Sequence, residues 1–286
     1  MAAAAQKQEV QKASSGSVVT EEMRKMALAD VGKGSSTAQE DNLIPLLYVL
    51  QGLSPQVNKR NDAYIEGAEP GDIWVRNAPK PIVKSEEGIP FQPCTFSKNW
   101  VEWVPRDAGG GRRGIFPHDA VTVAKDGKSA TLKTPDGVID LKVEFKDGNT
   151  NVPHFKLPNG NDLIETRYHA GFAEVDGKAL PYVISFKSTG HTVSKEWMGK
   201  ILQRNSIDGK NPDPSWLYWY KLTTKMRKNK EGEWFVIQVA DLDRVATAEE
   251  YARGKSLNIA VMAGEKEIGE EIQDAGGGKN NPDAPF

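Results

Sequence analysis

The residues best suited to chemistry lie between Ser185 and Val239. From Lys187 to Lys230, ten basic residues (Lys187, Lys195, Lys200, Arg204, Lys210, Lys221, Lys225, Arg227, Lys228 and Lys230) stand against Glu196, Asp208 and Asp213, a local net charge of +7. Aromatic rings interleave with them: Trp197, then Trp216, Tyr218, Trp219 and Tyr220, then Trp234 and Phe235. Cations that track phosphates beside rings that stack on bases make a groove for single-stranded nucleic acid, each stacked base being worth roughly 1–3 kcal/mol. In an extended strand Trp216, Tyr218 and Tyr220 share one face, while Leu217, Trp219 and Lys221 share the other. One aromatic face can line a core. A second such face is hard to bury and is expected to meet a ligand, although Trp and Tyr in strands are also ordinary packing residues.

A second candidate runs from Trp100 through Trp103 and Arg106 to Gly109, Gly110, Gly111, Arg112 and Arg113. Three consecutive glycines let the backbone approach a ligand, and the planar forks of Arg106, Arg112 and Arg113 suit phosphate. No Gly-Lys-Ser/Thr follows, so this is not a nucleotide-binding P-loop. The plainer reading is a solvated hairpin loop.

Catalytic machinery is hard to find. Asp136, Asp140 and Lys142 superficially resemble the two-carboxylate-plus-lysine pattern of metal-dependent nucleases. Asp136-Gly137, however, reads as a tight turn, and Asp140, Lys142 and Glu144 alternate with Ile139, Leu141, Val143 and Phe145 as the wet face of a half-buried strand. His118, His154, His169 and His191 lack metal-ligand spacing, and Cys94 has no neighbouring base to activate it. No enzyme, cofactor or metal is expected.

The elements that must hold these residues follow from composition and pattern. The chain has 286 residues, with 37 Lys and Arg against 39 Asp and Glu for a net charge of −2, so it is neither a polybasic nor a polyacidic protein. A roughly 45% apolar content is ordinary for a globular chain. A lone Cys94 rules out an internal disulfide scaffold and fits a reducing bacterial cytoplasm. No apolar run approaches a membrane span, and the opening MAAAAQKQEVQK does not read as a secretory signal. Residues 1–40 read as a disordered arm with a transient helix at Glu21–Ala29, 41–262 as one β-rich domain, and 263–286 as a flexible acidic tail.

Within the domain the apolar period is mostly two, at 71–75, 120–123, 138–145, 182–186, 216–222 and 234–239. Asp126-Gly127, Asp136-Gly137, Asp147-Gly148, Asn159-Gly160, Asp176-Gly177 and Glu231-Gly232 mark hairpin corners. Helices are predicted over 46–51, over 194–205 capped by Ser194, and over 247–253 capped by Thr247 with Glu249 and Glu250 in its first turn. The class is mainly β with a few helices, either an oligonucleotide-binding-type barrel or a strongly curved antiparallel sheet.

The tail carries Glu265, Glu267, Glu270, Glu271, Asp274 and Asp283 against Lys266 and Lys279, and ends Pro282-Asp283-Ala284-Pro285-Phe286. That tip resembles the acidic, Pro-Phe-ended tips of bacterial and phage single-stranded-DNA-binding proteins. The stretches 42–55, 64–73 and 185–190 are similar to phage proteins given that label. The resemblance implies an oligonucleotide-binding barrel, no catalysis, and recruitment of replication or recombination partners through Asp283, Pro285 and Phe286. It departs from the usual tip in carrying one adjacent acid instead of a run. The expected DNA contacts are Trp100, Trp103, Arg106, Arg112, Arg113, Lys187, Lys195, Trp197, Lys200, Tyr218, Trp219, Lys221, Lys225, Arg227 and Lys228. The expected role is sequence-tolerant binding of single strands in phage replication or recombination, with a second copy of the chain as a further expected partner. A strand-annealing recombination protein and a virion-associated structural protein are the rival readings.

Overall fold

The computed structural model describes residues 22–23, 25–26, 43–76, 78, 80–105, 108–125, 128–146, 153–204, 207–230, 232–264 and 266–268. Contacts divide the chain into residues 1–38 and 39–286. In the first unit the described residues Glu22, Met23, Lys25 and Met26 are helical and exposed. The remaining expectations for the arm, and those for 269–286, lie outside the described residues.

In the second unit the strands are β1 (Leu43–Ile44), β2 (Leu47–Val49), β3 (Ile73–Val75), β4 (Ile82–Val83), β5 (Ile89–Trp103), β6 (Arg112–Pro117), β7 (Val121–Val123), β8 (Ser129–Thr134), β9 (Gly137–Lys146), β10 (Pro153–Lys156), β11 (Asp162–Val175), β12 (Lys178–Phe186), β13 (Tyr218–Asn229), β14 (Gly232–Val245) and β15 (Glu267–Ile268). Helix α1 spans Gly190–Gln203 and α2 spans Ala248–Met262. The expected mainly-β class holds. Among the described residues the main sheet runs β14-β13-β5-β11-β10-β9-β8-β7, with β12 also on β11 and β6 also on β5, and it does not close into a barrel. Strand β5 makes the branch: Ile89, Pro90 and Phe91 pair with β13, whereas Asn99–Trp103 pair with β6.

The long antiparallel β5–β11 ladder pairs Phe91–Trp103 with Ala173–Asp162 through a bulge at Ala170/Gly171. A Cβ on Gly171 would stand 2.1 Å from the Gln92 carbonyl oxygen, so only glycine lets the two backbones meet there. Most turn dipeptides behave as their chemistry requires. Asp176-Gly177 takes φ of 53° and 69° between β11 and β12, and Gly160 takes 84°. Asp126-Gly127 and Asp147-Gly148 lie outside the described residues.

Apolar side chains collect on both faces of the central strands. On one face α1 lays Val193, Trp197 and Ile201 over Phe91, Ile184, Tyr220 and Leu222. On the other, α2 brings Leu257 against Val101, Tyr168, Val183 and Trp219. A third cluster of Trp100, Leu132, Leu141, Phe155 and Leu163 fills the far end under β8 and β9. Gly254 makes the α2 contact possible, because a Cβ there would come within 2.7 Å of the Trp216 side chain.

The helix predictions fare unequally. Helix α2 begins where expected: Thr247 accepts from Glu250 N and the Glu250 carboxylate accepts from Thr247 N, a complete capping box. Helix α1 starts earlier than predicted, after Thr189, and Ser194 is a buried helix-interior residue rather than a cap. The helix expected at 46–51 is strand β2 instead, pairing with β3, with Leu46 bridged to Val183. A short apolar run has no polar positions to reveal its period, so helix and buried strand look alike there. The chain also remains in the fold past the expected boundary at 262, since β15 pairs in parallel with β1.

Candidate nucleic-acid interface

The structure withdraws three rings from the expected site. Trp219 is 0% exposed, Trp197 1% and Trp100 2%. Trp197 stacks on His169 at 4.4 Å and meets Phe91 and Tyr220 edge-on. Trp219 lies against Cys94 and Leu257, with the Arg244 guanidinium 4.1 Å from its ring. Trp100 packs on Phe155. None of these can stack on a base while the fold stays closed. The sequence argument failed at one step, that a second aromatic face on β13 is hard to bury: α2 and the β1–β2 segment cover the face that α1 does not.

Two expected contacts are committed elsewhere. Lys200 and the neighbouring Arg204 hold Asp241 of β14 at 3.2 and 3.0 Å, and Arg204 lies 4.3 Å over the ring of Tyr218. Tyr218 donates its hydroxyl to Asp213 at 2.6 Å. These contacts tie α1 and the segment after it to the β13–β14 hairpin. Other expected contacts meet: Lys187 sits with its ammonium 3.8 Å from the half-exposed ring of Trp103, which joins the two sequence candidates.

The open cations are at the end of the β13–β14 hairpin. Only Tyr220–Leu222 of β13 pair with β5, so from Thr223 onward the hairpin runs past that ladder. Lys225, Met226, Arg227, Lys228, Asn229 and Lys230 are all exposed, and among the described residues Lys225, Arg227 and Lys230 make no ion pair. Lys228 is held at 2.6 Å by Glu233. Across the hairpin Arg227 faces Trp234 and Lys225 faces Val236. Trp234 is half-buried and donates its indole N–H to Thr189 Oγ1 at 3.3 Å, so the ring is anchored beside the start of α1. Lys195 is exposed on α1, and Lys221 is half-buried at the root of the hairpin.

At the glycine loop, Gly109, Gly110 and Gly111 all take positive φ (104°, 67° and 106°), conformations that side chains resist. Arg112 is half-buried, and no described residue accepts from its Nη1. Arg113 keeps 64% of its side chain exposed, 3.9 Å from the buried Glu102 carboxylate. Arg106, Asp283, Pro285 and Phe286 lie outside the described residues.

The nuclease-like residues do not assemble. Asp140 and Lys142 are exposed on β9, and among the described residues no three His, Cys, Asp or Glu side chains come together to hold a metal. Cys94 is buried, which pushes its thiol up to about 12. Burial holds His169 down to about 3, with Arg167 nearby adding to the effect. Its Nε2 pairs with Ser194 Oγ at 2.9 Å, but both residues are 0% exposed, sealed where α1 packs on β11.

Sequence reasoning passed over Glu102, Asn159 and Asn161. A signal for Glu102 existed: it shares strand parity with the core residue Trp100, so a period of two places its charge on an inward face.

A model of the Pam3 phage gp34-like protein family matches residues 13–267, and the chain belongs to that family. No curated protein and no solved structure gives a significant match.

Proposed function

We propose that this phage-family chain binds single-stranded nucleic acid, without catalysis, in the cytoplasm of an infected bacterium. The observation that carries the reading is the end of the β13–β14 hairpin, where Lys225, Arg227 and Lys230 are exposed and make no ion pair among the described residues, near the anchored ring of Trp234. Lys225 and Arg227 share the face of β13 that carries Val236 and Trp234, with Lys230 at the turn, and the counterions released when such cations meet phosphates make affinity fall with salt. With Trp100, Trp197 and Trp219 buried, stacking falls to the partly exposed rings of Trp103 and Trp234. Backbone electrostatics therefore carries most of the affinity, and sequence tolerance follows from that.

The test is fluorescence anisotropy with a labelled oligo-dT and a matched duplex over a salt series. The expected result is tighter binding to the single strand, a steep salt slope, and loss of binding when Lys225, Arg227 and Lys230 are all changed to Glu. Salt-independent affinity, or a triple variant that binds as well as the parent, would overturn the reading.

A further inference from the structure

A second place on the fold has the chemistry of a base pocket. Strand β5 slips register against β6 between Glu102 and Trp103, so Glu102 faces Gly114 while Trp103 faces Arg112. Arg113 is the residue left over, and it approaches the carboxylate. Glu102 is 7% exposed. Its Oε1 accepts from Asn159 Nδ2 at 2.8 Å and from Asn161 Nδ2 at 2.5 Å, with Arg113 Nε at 3.9 Å. No described residue donates to Oε2. Oε2 is not sealed from solvent, so a ligand's donor would replace water there.

Glu102 lines a cavity of about 260 Å³ whose walls are Phe116, Ile139, Leu157 and Pro158, with Thr134 and Asn159 as its other polar members. Gly114 leaves space beside Oε2: a Cβ there would lie 3.5 Å from that oxygen and 3.7 Å from the Phe116 ring. Thr134 already donates its hydroxyl to the Gly137 carbonyl at 3.0 Å, and Asn159 Oδ1 already accepts from Asn161 N. Of the lining polar atoms, Glu102 Oε2 and Thr134 Oγ1 are left as acceptors and the second N–H of Asn159 Nδ2 as a donor, and the wall includes the Phe116 ring. The exposed guanidinium of Arg113 stands nearby.

We propose that this cavity is a subsite for one guanine of a bound strand. This deepens the single-strand reading and rests on it. Of the four bases, guanine alone presents two adjacent donors, N1–H and the N2 amino group, on its pairing edge. Adenine and cytosine set a donor beside an acceptor there, and thymine flanks its one donor with carbonyls. A strand laid across the protein would give the base to Glu102 Oε2 and Thr134 Oγ1, the ring face to Phe116, and the attached phosphate to Arg113. Single-stranded readers commonly recognise splayed bases on this edge.

The experiment compares oligo-dT with the same oligomer carrying one central dG, deoxyinosine, dA or dC, on the parent and on Glu102→Gln. Gln keeps the oxygen that Asn159 and Asn161 use and replaces Oε2 by a donor. One dG is expected to tighten parent binding about tenfold, the scale of a good paired base contact, with inosine recovering only part of that gain. Glu102→Gln is expected to erase the guanine gain and leave plain oligo-dT binding unchanged. Equal affinity for all oligomers, or a gain that survives Glu102→Gln, overturns the subsite while the single-strand reading stands. If no oligomer binds at all, the single-strand reading fails, and titration with GMP against AMP decides the cavity. GMP binding lost in Glu102→Gln keeps the guanine site but moves its ligand to a free nucleotide, whereas no GMP binding removes the site. Ile139→Trp, which fills the cavity from its wall and keeps residue 102 as Glu, guards against an effect of the Gln substitution on the fold and is expected to reproduce the Gln result.

Discussion

The two halves of the β13–β14 hairpin share a composition of rings and cations and have opposite fates. At the root, Trp219 and Tyr220 point to opposite faces of the sheet and both are buried, one under α2 and the other under α1. Arg204 and Lys200 there pair with Asp241 and Arg244 with Glu174 and Glu250, and the two arginines lie over aromatic rings. Toward the tip no helix covers the ribbon, and Lys225, Arg227 and Lys230 stay exposed without ion pairs among the described residues. The same residue types are thus structural where two layers sandwich them and available toward the tip, where Gln51 and Gly71 hold Phe235 but leave Lys225 and Arg227 exposed. What a basic-aromatic stretch does depends on the layers packed against it, which local composition does not encode.

The sharpest way to break this comparison is to delete a ring at the root. Trp219→Ala is expected to destabilise the fold by about 3–5 kcal/mol, the usual cost of emptying a large aromatic site in a packed core. Chemical denaturation measures it. Unchanged stability with weakened oligonucleotide binding would mean that the root is open after all and the division between the halves is false.

Acid should also act on the covered half. Burial holds His169 down to about 3 and His191 to about 4, from an ordinary 6.5. Between pH 6.5 and about 4 the unfolded chain therefore binds protons that the folded chain refuses, so stability rises with pH and is lost on acidification across that window. Each histidine removes up to about 1.4 kcal/mol per pH unit there. The measurement is the melting temperature from pH 7 to pH 4, for the parent and for His169→Phe. A flatter acid profile in the variant is the expected sign, and an identical slope would show that His169 is protonated in the fold.

How much of this was legible depends on the kind of signal. Turn and cap chemistry are local, so the Asp176-Gly177 corner and the Thr247 capping box could be read directly from the sequence. Most strands of period two were legible for the same reason, but the one expected from Trp216 begins only at Tyr218: Ser215–Leu217 form a 3-10 turn after Pro214, and Trp216 packs with Trp219 instead of sharing a face with Tyr218 and Tyr220. The segment 46–51 was not, because an apolar run looks alike as helix or buried strand, and only pairing with β3 decides it. At the candidate site, sequence found the exposed cations Lys225, Arg227 and Lys228 and the Arg113 side chain. It could not tell Trp219 from Trp234, because the distinction is made by α2, whose packing partners lie more than a hundred residues away along β5.

At the tip, Trp234→Ala should cost binding and spare the fold. Its ring faces Arg227 across the hairpin and is half-buried, so the expected loss is about 1–3 kcal/mol of affinity if it stacks on a base. A circular-dichroism melt run in parallel should show a smaller stability change than for Trp219→Ala. The reverse order would place Trp234 with the root.

The finest test lies within the tip itself. Lys228 differs from Arg227 in one respect that the structure makes explicit: its ammonium is already held by Glu233 at 2.6 Å. A phosphate that takes Lys228 must displace that carboxylate, and the Glu233 charge remains close enough to oppose the strand. An exposed pair of this kind is worth about 0–1 kcal/mol, so the handicap is small but has a definite sign. Arg227→Ala is therefore expected to lower the salt slope of binding by about one unit, as loss of one phosphate contact does, and Lys228→Ala by clearly less. Glu233→Gln should move the other way, raising low-salt affinity by freeing Lys228 and removing a repulsive charge, with the gain fading as salt screens both. If Lys228→Ala weakens binding as much as Arg227→Ala, the Glu233 pair does not persist in solution. The tip would then behave as one uniform row of cations.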